Sequence, residues 1–529
     1  MSDAPAVAPF DVGEVPYASA VRRYTTRAGR ARATAGVGSL LSDVYYAVVS
    51  VVISVGLAYG VAETLRVSLP PAPEVPESGL SLATLVVVLL VALVGVLLSL
   101  AGRLGPVGAG GAEATWWLGL PVDRRGLLRP AARRLPLVAA LVAAVVVALL
   151  DAGLLGDGPL GTATAAATGA LVAASVVLAA GVGQSAGVSR RSTAVVGDLV
   201  LAVTPVLAVG LELAGRHVDA LPTPPWPGVA ALALLVGLLA WLLDSRLDRI
   251  PARALQESGS VAAQAVGAAV SLDSRELGRA LTDSAAPPAR RFVSRLRTAR
   301  GPASALVTAD LVALRRSTRH VVQLVVSALV PVLVAGVPQL ATPGGVVVAV
   351  LLAGYVAASA TGEGARRAEM APVLDRLLPL DDRTTRRLRT VVPAAAMLLW
   401  SLVVLAAVGR WAGDLAGWLP LAVAGAPVWA CAAVRAAYRP APDWGGPLVS
   451  TPAGALPTGV GAVLARGPDV ALLGLLPWWI SILLQRTTET LLLVQLVLAG
   501  IAFAVATSVR TRPLLEQLQE QAEATGGRR

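Results

Sequence analysis

The sequence predicts an all-α membrane protein of about twelve transmembrane helices, arranged as two six-helix repeats with both termini cytoplasmic. Three observations carry that reading. The composition is 55% hydrophobic and only 15% charged, with a mean hydropathy of +0.70, which no soluble surface of 529 residues would show. Apolar runs of about twenty residues, the length that crosses a ~30 Å hydrocarbon layer, recur along the chain. The cations are distributed unevenly about those runs.

The elements follow in order. Residues 1–43 form a cytoplasmic amphipathic segment with five arginines and no early apolar run, so no cleavable signal peptide is expected and insertion relies on the first internal span. A first transmembrane domain, 44–246, holds spans near 44–64, 82–102, 135–155, 163–186, 194–214 and 228–244. A cytoplasmic linker, 247–319, follows. Val307, Leu311 and Leu314 stand there at helical spacing before Arg315 and Arg316, which suits an interfacial helix. A solvated linker between two halves is the alternative. A second domain, 320–508, holds spans near 320–338, 344–362, 391–409, 418–436, 469–485 and 489–508, and 509–529 is a cytoplasmic tail. Helices are expected because they satisfy their own backbone polar groups in lipid.

The arginines test this arrangement as a whole. With the amino end inside, forty of the 44 fall on the cytoplasmic side, and only Arg66, Arg216, Arg410 and Arg486 fall outside. One missed span would reverse every side downstream of it. The net charge of +11, which in a soluble protein would raise the question of nucleic acid, is thereby read as topology, with the lipid bilayer as partner.

What is missing restricts the chemistry. All 44 cations are Arg, and Lys and Asn do not occur, a bias of the kind a GC-rich bacterial genome imposes. Without Lys there is neither a P-loop nor a Schiff-base amine. The single cysteine, Cys431, reads as a buried inert thiol, and His217 and His320 stand about a hundred residues apart, so no metal site or Cys/His pair is expected. No Ser with a base and no acidic metal cluster appears, so the chain is expected to carry no catalytic residue and no cofactor. "VGAGGAEA" at 107–114 lacks the Lys and Ser/Thr of a phosphate cradle and reads as a flexible loop.

One feature repeats. "WWLGLPVDRRGLLRPAARRLP" lies between the second and third spans, and "LDRLLPLDDRTTRRLRTVVP" between the eighth and ninth. Leu120, Pro121, Val122, Asp123, Arg124 and Arg125 thus match Leu378, Pro379, Leu380, Asp381, Asp382 and Arg383, each set after the second span of its half. Two ordinary positive-inside loops are the plainer reading. In these residues the chain resembles the membrane subunits of ABC-2 type exporters: an amphipathic entry helix, six spans per domain, and an L-P-hydrophobic-polar-R loop after span two. The resemblance implies that these twelve residues form two coupling loops seated on separate ABC ATPase subunits, two copies per chain, which bind ATP and Mg. Trp116 and Trp117 would then lie at the membrane edge of the first loop. The chain departs from the commonest pattern by carrying both domains in one polypeptide.

Major-facilitator carriers offer a rival, a proton-coupled one. Gly119, Asp123, Arg124 and Gly126 fit their loop motif, but Leu127 and Leu128 replace its final basic pair. Asp382, Arg383, Arg386 and Arg387 fit in the second loop without the glycines. Against the rival, the loops are long, and Asp151, Asp198, Glu212 and Glu489 fall near span ends. The expected activity is therefore export of a hydrophobic or amphipathic substrate, such as a lipid, peptide or natural product, across a bacterial cytoplasmic membrane by alternating access. Pro205, Pro331, Pro427 and Pro477 are candidate bends.

Overall fold

The computed structural model describes residues 16–32, 80–155, 158–215, 218, 221–270, 299–370, 377–438, 448–451, 454–457 and 467–508, with scattered positions between 45 and 64. Among these residues ten helices are long and apolar enough to cross a membrane, and the chain is a multi-pass membrane protein. The expected first span, 44–64, is described only at isolated positions, and the tail 509–529 lies outside the described residues. The chain divides into two compact units. One comprises Met1–Pro71, Ser81–Thr204 and His217–Arg291, the other Ala72–Leu80, Pro205–Arg216 and Phe292–Arg529.

The first unit contains α1 (Ala18–Arg32), α2 (Leu82–Leu104), α3 (Gly111–Trp117) and α4 (Arg124–Leu150), which continues as a π-helical turn over Asp151–Leu155. Then come α5 (Gly158–Ser185), α6 (Arg190–Leu213), α7 (Trp226–Ser245), a 3-10 turn (Leu247–Arg249) and α8 (Ala252–Val270). The division between units falls inside α6, at Pro205, where the helix lacks a backbone donor. Helix α4 packs along α5, and α5 along α7.

Small residues bring α2 and α6 together. A Cβ at Gly102 would lie 2.8 Å from Ala194 Cα, and one at Gly197 would lie 2.7 Å from Ser99 Cα, so a larger residue at either would push the backbones apart. The same seam holds an ion pair. Ser99 Oγ donates to Asp198 Oδ1 at 2.6 Å, and Arg103 Nη2 to Asp198 Oδ2 at 2.6 Å. Asp198 is buried and is the ninth residue of α6, about 12 Å along the helix, deeper than the span end expected for it.

The flexible loop expected at 107–114 is instead ordered: residues 111–114 open α3, and residues 105–110 lead into it. Most are buried, and the Gln184 amide pairs with Val107 as a strand would, accepting from its N–H at 3.1 Å and donating to its carbonyl at 2.9 Å. Ala109 N–H donates to Leu255 O at 3.1 Å. Glycine serves close approach here, since a Cβ at Gly108 would lie 2.9 Å from the Gly259 nitrogen. Helix α8 is thus fastened to this unit, although its sequence falls in the expected linker.

The second unit begins with α9 (Pro302–Arg316), α10 (Thr318–Gly336), α11 (Pro343–Thr361), α12 (Glu363–Met370), α13 (Asp382–Arg389), α14 (Val391–Ala412) and α15 (Leu415–Ala437). An antiparallel hairpin, β1 (Leu448–Thr451) with β2 (Gly454–Pro457), pairs Leu448 with Pro457 and Thr451 with Gly454. Helices α16 (Pro468–Gly474), α17 (Leu476–Leu484) and α18 (Glu489–Thr507) complete it. The other end of the expected linker is thereby also a helix, α9, packed on α12 and α13. It buries Leu306 and Asp310, while Leu311, expected on the apolar face, is exposed.

Helix α15 is the centre of this unit: 72% of its most apolar stretch is buried, against 6% for α7. Tryptophans seated over glycines fill the space around it. A Cβ at Gly354 of α11 would lie 2.5 Å from Trp429 Cη2, and one at Gly425 would lie 2.6 Å from Trp478 Cζ2. Trp429 meets Trp400 edge-on at 5.9 Å and Trp479 at 6.4 Å. Cys431 is buried in the same core.

Ten of the expected spans are long helices, one of them with its start moved, and an eleventh is broken. The span expected from 135 starts at Arg124, where Asp123 caps it, and continues through Pro130 and Pro136. The span expected at 469–485 is instead broken at Leu475 into α16 and α17. The break frees carbonyls that side chains take up. Trp479 Nε1 donates to Leu472 O at 3.0 Å, and Gln495 Nε2 to Gly474 O at 2.9 Å. Left unmet in an apolar interior, each would cost several kcal/mol.

Candidate functional site

The two repeated segments are assembled alike. In the first, α3 ends at Trp116 and Trp117, the former 72% exposed, and a turn closes with Leu120 N–H donating to Trp117 O at 3.2 Å. Leu120, Pro121 and Asp123 are exposed, whereas Val122 is buried against Ala18, Val21, Trp117 and Leu127. Asp123 caps α4, its carboxylate accepting the amides of Arg125 at 3.1 Å and Gly126 at 3.0 Å. Arg124 Nη2 donates to Leu118 O at 3.4 Å.

In the second segment Leu378 and Leu380 are half-buried, and Pro379, Asp381, Asp382 and Arg383 are exposed. Leu380 N–H donates to Leu378 O at 2.8 Å, and Asp381 caps α13, accepting the Thr384 amide at 3.1 Å. The aspartate of each L-P-hydrophobic-D segment is therefore a helix cap. The side-chain hydrogen bond with Thr384, followed by that residue's amide, holds the Asp381 carboxyl below its ordinary range. On α12, burial pushes Glu363 upward, but Arg366, then Arg367, overcome that and hold it low.

Arginines then tie each segment to distant helix ends. Arg125 Nη2 donates to Ser245 O at 2.7 Å, the last residue of α7, and Arg129 clasps Asp244 through Nε at 2.7 Å and Nη2 at 2.9 Å. In the second unit Arg386 Nη1 donates to Ser508 O at 2.8 Å, just past α18, and its guanidinium lies 4.6 Å from the Tyr438 ring centre. A cation at a helix C-terminus also meets the negative end of the dipole.

A buried ion pair anchors the second segment further. Arg389, at the end of α13, pairs with Asp310 of α9, both side chains 9% exposed. Helix α12 closes over it: a Cβ at Gly364 would lie 2.8 Å from Asp310 Oδ2. The first segment is anchored by α1, whose Ala18 lies over Gly126, where an added Cβ would come within 2.7 Å of Ala18 Cβ.

Of the twelve residues singled out from sequence, six gather at the start of α4 and six at the start of α13. Arg129, Asp244, Arg386, Arg389 and Asp310 were not among them, because the repeat ends at the second residue of the helix it caps and their partners come from distant helices. Arg386 had shown itself only in the carrier-like pattern. No three His, Cys, Asp or Glu converge on a metal-binding geometry among the described residues.

Residues 76–447 match DUF6297, a family of unknown function. No curated protein matches the chain.

Proposed function

The chain belongs to the DUF6297 family, and we propose that this member is the membrane-spanning permease subunit of an ATP-driven ABC-2 type exporter in a bacterial cytoplasmic membrane. In this reading two six-helix halves move against each other when separate ATPase subunits press on Leu120–Arg125 and Leu378–Arg383. ATP and Mg belong to those subunits. The substrate is hydrophobic or amphipathic.

One observation carries the reading. In each half a capping aspartate opens the helix that leads into the third expected span, and an arginine shortly after it bonds a carbonyl at the C-terminal end of that half's last long helix. A force applied at either segment would thus reach two helices of its half at once. The order of elements also supports a duplication. Among the described residues, entry helix, a span, short helix, capped third span and three further spans recur as α1 to α7 and as α9 to α18, where a further span precedes the short helix, and the third and fourth spans pack along each other in both. Alternating access needs two states whose populations a partner can bias, and segments tied to the bundle in this way are suited to deliver that bias.

The test is capture of the chain from its native membrane with an ATPase bound, followed by vanadate-sensitive hydrolysis in the complex. Deleting residues 121–125 and 379–383 should abolish ATPase capture while leaving the protein inserted. Undiminished capture by the double deletion would refute the reading. The proton-coupled carrier is favoured by one feature, the Arg103–Asp198 pair about 12 Å inside α6. Proton-gradient-driven uptake by the purified chain alone would establish that alternative.

A further inference from the structure

The first segment borders a cavity of about 380 Å³, lined by Pro16, Tyr17, Ala18, Arg22, Asp123 and Arg129, among others. It lies between α1 and the start of the long apolar helix α4, whose Arg124 begins a membrane span. Helix α1 carries five arginines and no acidic residue. Its inner face, Ala18 and Val21, rests on Val122 and Leu127. Its outer face presents Arg23, Arg27 and the exposed ring of Tyr24, and Tyr17 stands exposed just before it. Arginine with tyrosine at the mouth of a span is the composition of the headgroup layer.

Around the cavity Arg129 is taken up by Asp244, while Arg22 and Asp123 carry opposite charges and make no ion pair with each other. Asp123 accepts the Arg125 and Gly126 amides, one on each carboxylate oxygen, and Asp244 accepts Arg129 on both of its oxygens. Arg22 Nε is buried and makes no hydrogen bond among the described residues. Arg22 also makes no ion pair among the described residues, and a guanidinium without a counter-ion is well matched by a phosphate, which it can meet with parallel N–H donors. A headgroup also fits the volume, which falls in the range of small-ligand sites.

We propose that this cavity binds a phosphate-bearing anion, and that its source is the headgroup of an anionic phospholipid of the adjoining leaflet. Arg22 supplies the central donor, Arg129 the second cation, and Tyr17 the rim. The bound lipid would hold α1 against the start of α4, next to the first repeated segment. The site stands independently of the exporter reading.

The test uses the full chain in nanodiscs of phosphatidylcholine with a graded fraction of spin-labelled phosphatidylglycerol, read by the motionally restricted fraction. Measurements at 0.5 M salt suppress attraction to the exposed arginines, whose reach then falls to a few ångströms. The parent protein should retain phosphatidylglycerol at high salt. R22Q should weaken retention about fivefold, the factor for one basic residue at an anionic surface. S19W, which fills the cavity mouth without removing charge, should weaken it comparably, and R22K should recover part of the loss. Monodispersity and an unchanged melting temperature guard against misfolded variants. Competition by millimolar inorganic phosphate in place of lipid would overturn the lipid source. Equal retention by parent, R22Q and S19W, or no preference over phosphatidylcholine, would overturn the site and leave α1 as a surface for a protein partner.

Discussion

The pair Arg389–Asp310 is the most demanding contact in the second unit, because both charges are almost wholly withdrawn from water. Replacing Arg389 by Met takes that cation from the Asp310 carboxylate in a site walled by α9, α12 and α13, and breaking a buried pair from one side costs about 3–5 kcal/mol. Replacing both, with Asp310→Leu beside Arg389→Met, removes that cost and substitutes apolar volume, so the double variant should lie close to the parent. The chain supplies its own reporter. Cys431 is the one cysteine and is buried in α15 of the same unit, so a thiol-reactive dye labels it when that unit opens. At 1.36 kcal/mol per decade, R389M should speed labelling by roughly two to three and a half decades, and the double variant by less than one. Two results would refute the reasoning: unchanged labelling in R389M, or a double variant as fast as the single.

Three further outcomes are expected. Gly354→Val drives a methyl group into Trp429 and should cost about 1–3 kcal/mol or more, read by the same labelling, whereas Gly344→Val on the same helix meets nothing within 4 Å and should not. Asp123→Ala removes the cap of α4 and should lower stability by about 1 kcal/mol, seen as a lower melting temperature in detergent, with Asp123→Ser recovering most of it. The Asp381 carboxyl is held below its unfolded value, so its contribution to α13 is fully present above the ordinary aspartate range and is lost as pH falls through the lower folded value. Carbon-13 NMR of that carboxyl should place its midpoint below that of a model aspartate, and a midpoint at or above it would contradict the assignment.

Hydropathy located the spans well because twenty apolar residues in lipid have few alternatives to a helix, and α2, α5, α7, α10, α11, α15 and α18 match the expected stretches to within a few residues. It failed where packing overrode composition. Leu475 looks like any other apolar residue in its run, yet the chain breaks there because Trp479 and Gln495 can donate to the freed carbonyls, a pairing visible only in three dimensions. The glycines at 105–110 signalled flexibility by type. Their use is close approach, which depends on Gly259 and Gln184 from distant parts of the sequence. Asp310 of α9, polar and therefore unsuspected, is the residue that reaches Arg389, while Leu311 beside it stays exposed, as a lipid-facing position of an interfacial helix would.

Capping alone accounts for part of the repeated segment. A helix that follows a proline-containing turn needs an acceptor at its first position, and aspartate is among the best, so two such loops could acquire L-P-hydrophobic-D with no shared task. Capping says nothing about Arg125 and Arg386. Their partners, Ser245 and Ser508, lie 120 and 122 residues further along the chain. Each is the carbonyl at the end of the last long helix of its half, and no rule of helix initiation would select it. The two readings therefore part at the arginines. If the segments only start helices, R125A and R386A should leave ATPase capture and vanadate-sensitive hydrolysis as they were. If the segments carry load, both variants should still capture the ATPase, since R386A keeps all twelve contact residues and R125A eleven of them, while hydrolysis ceases to respond to the state of the membrane bundle.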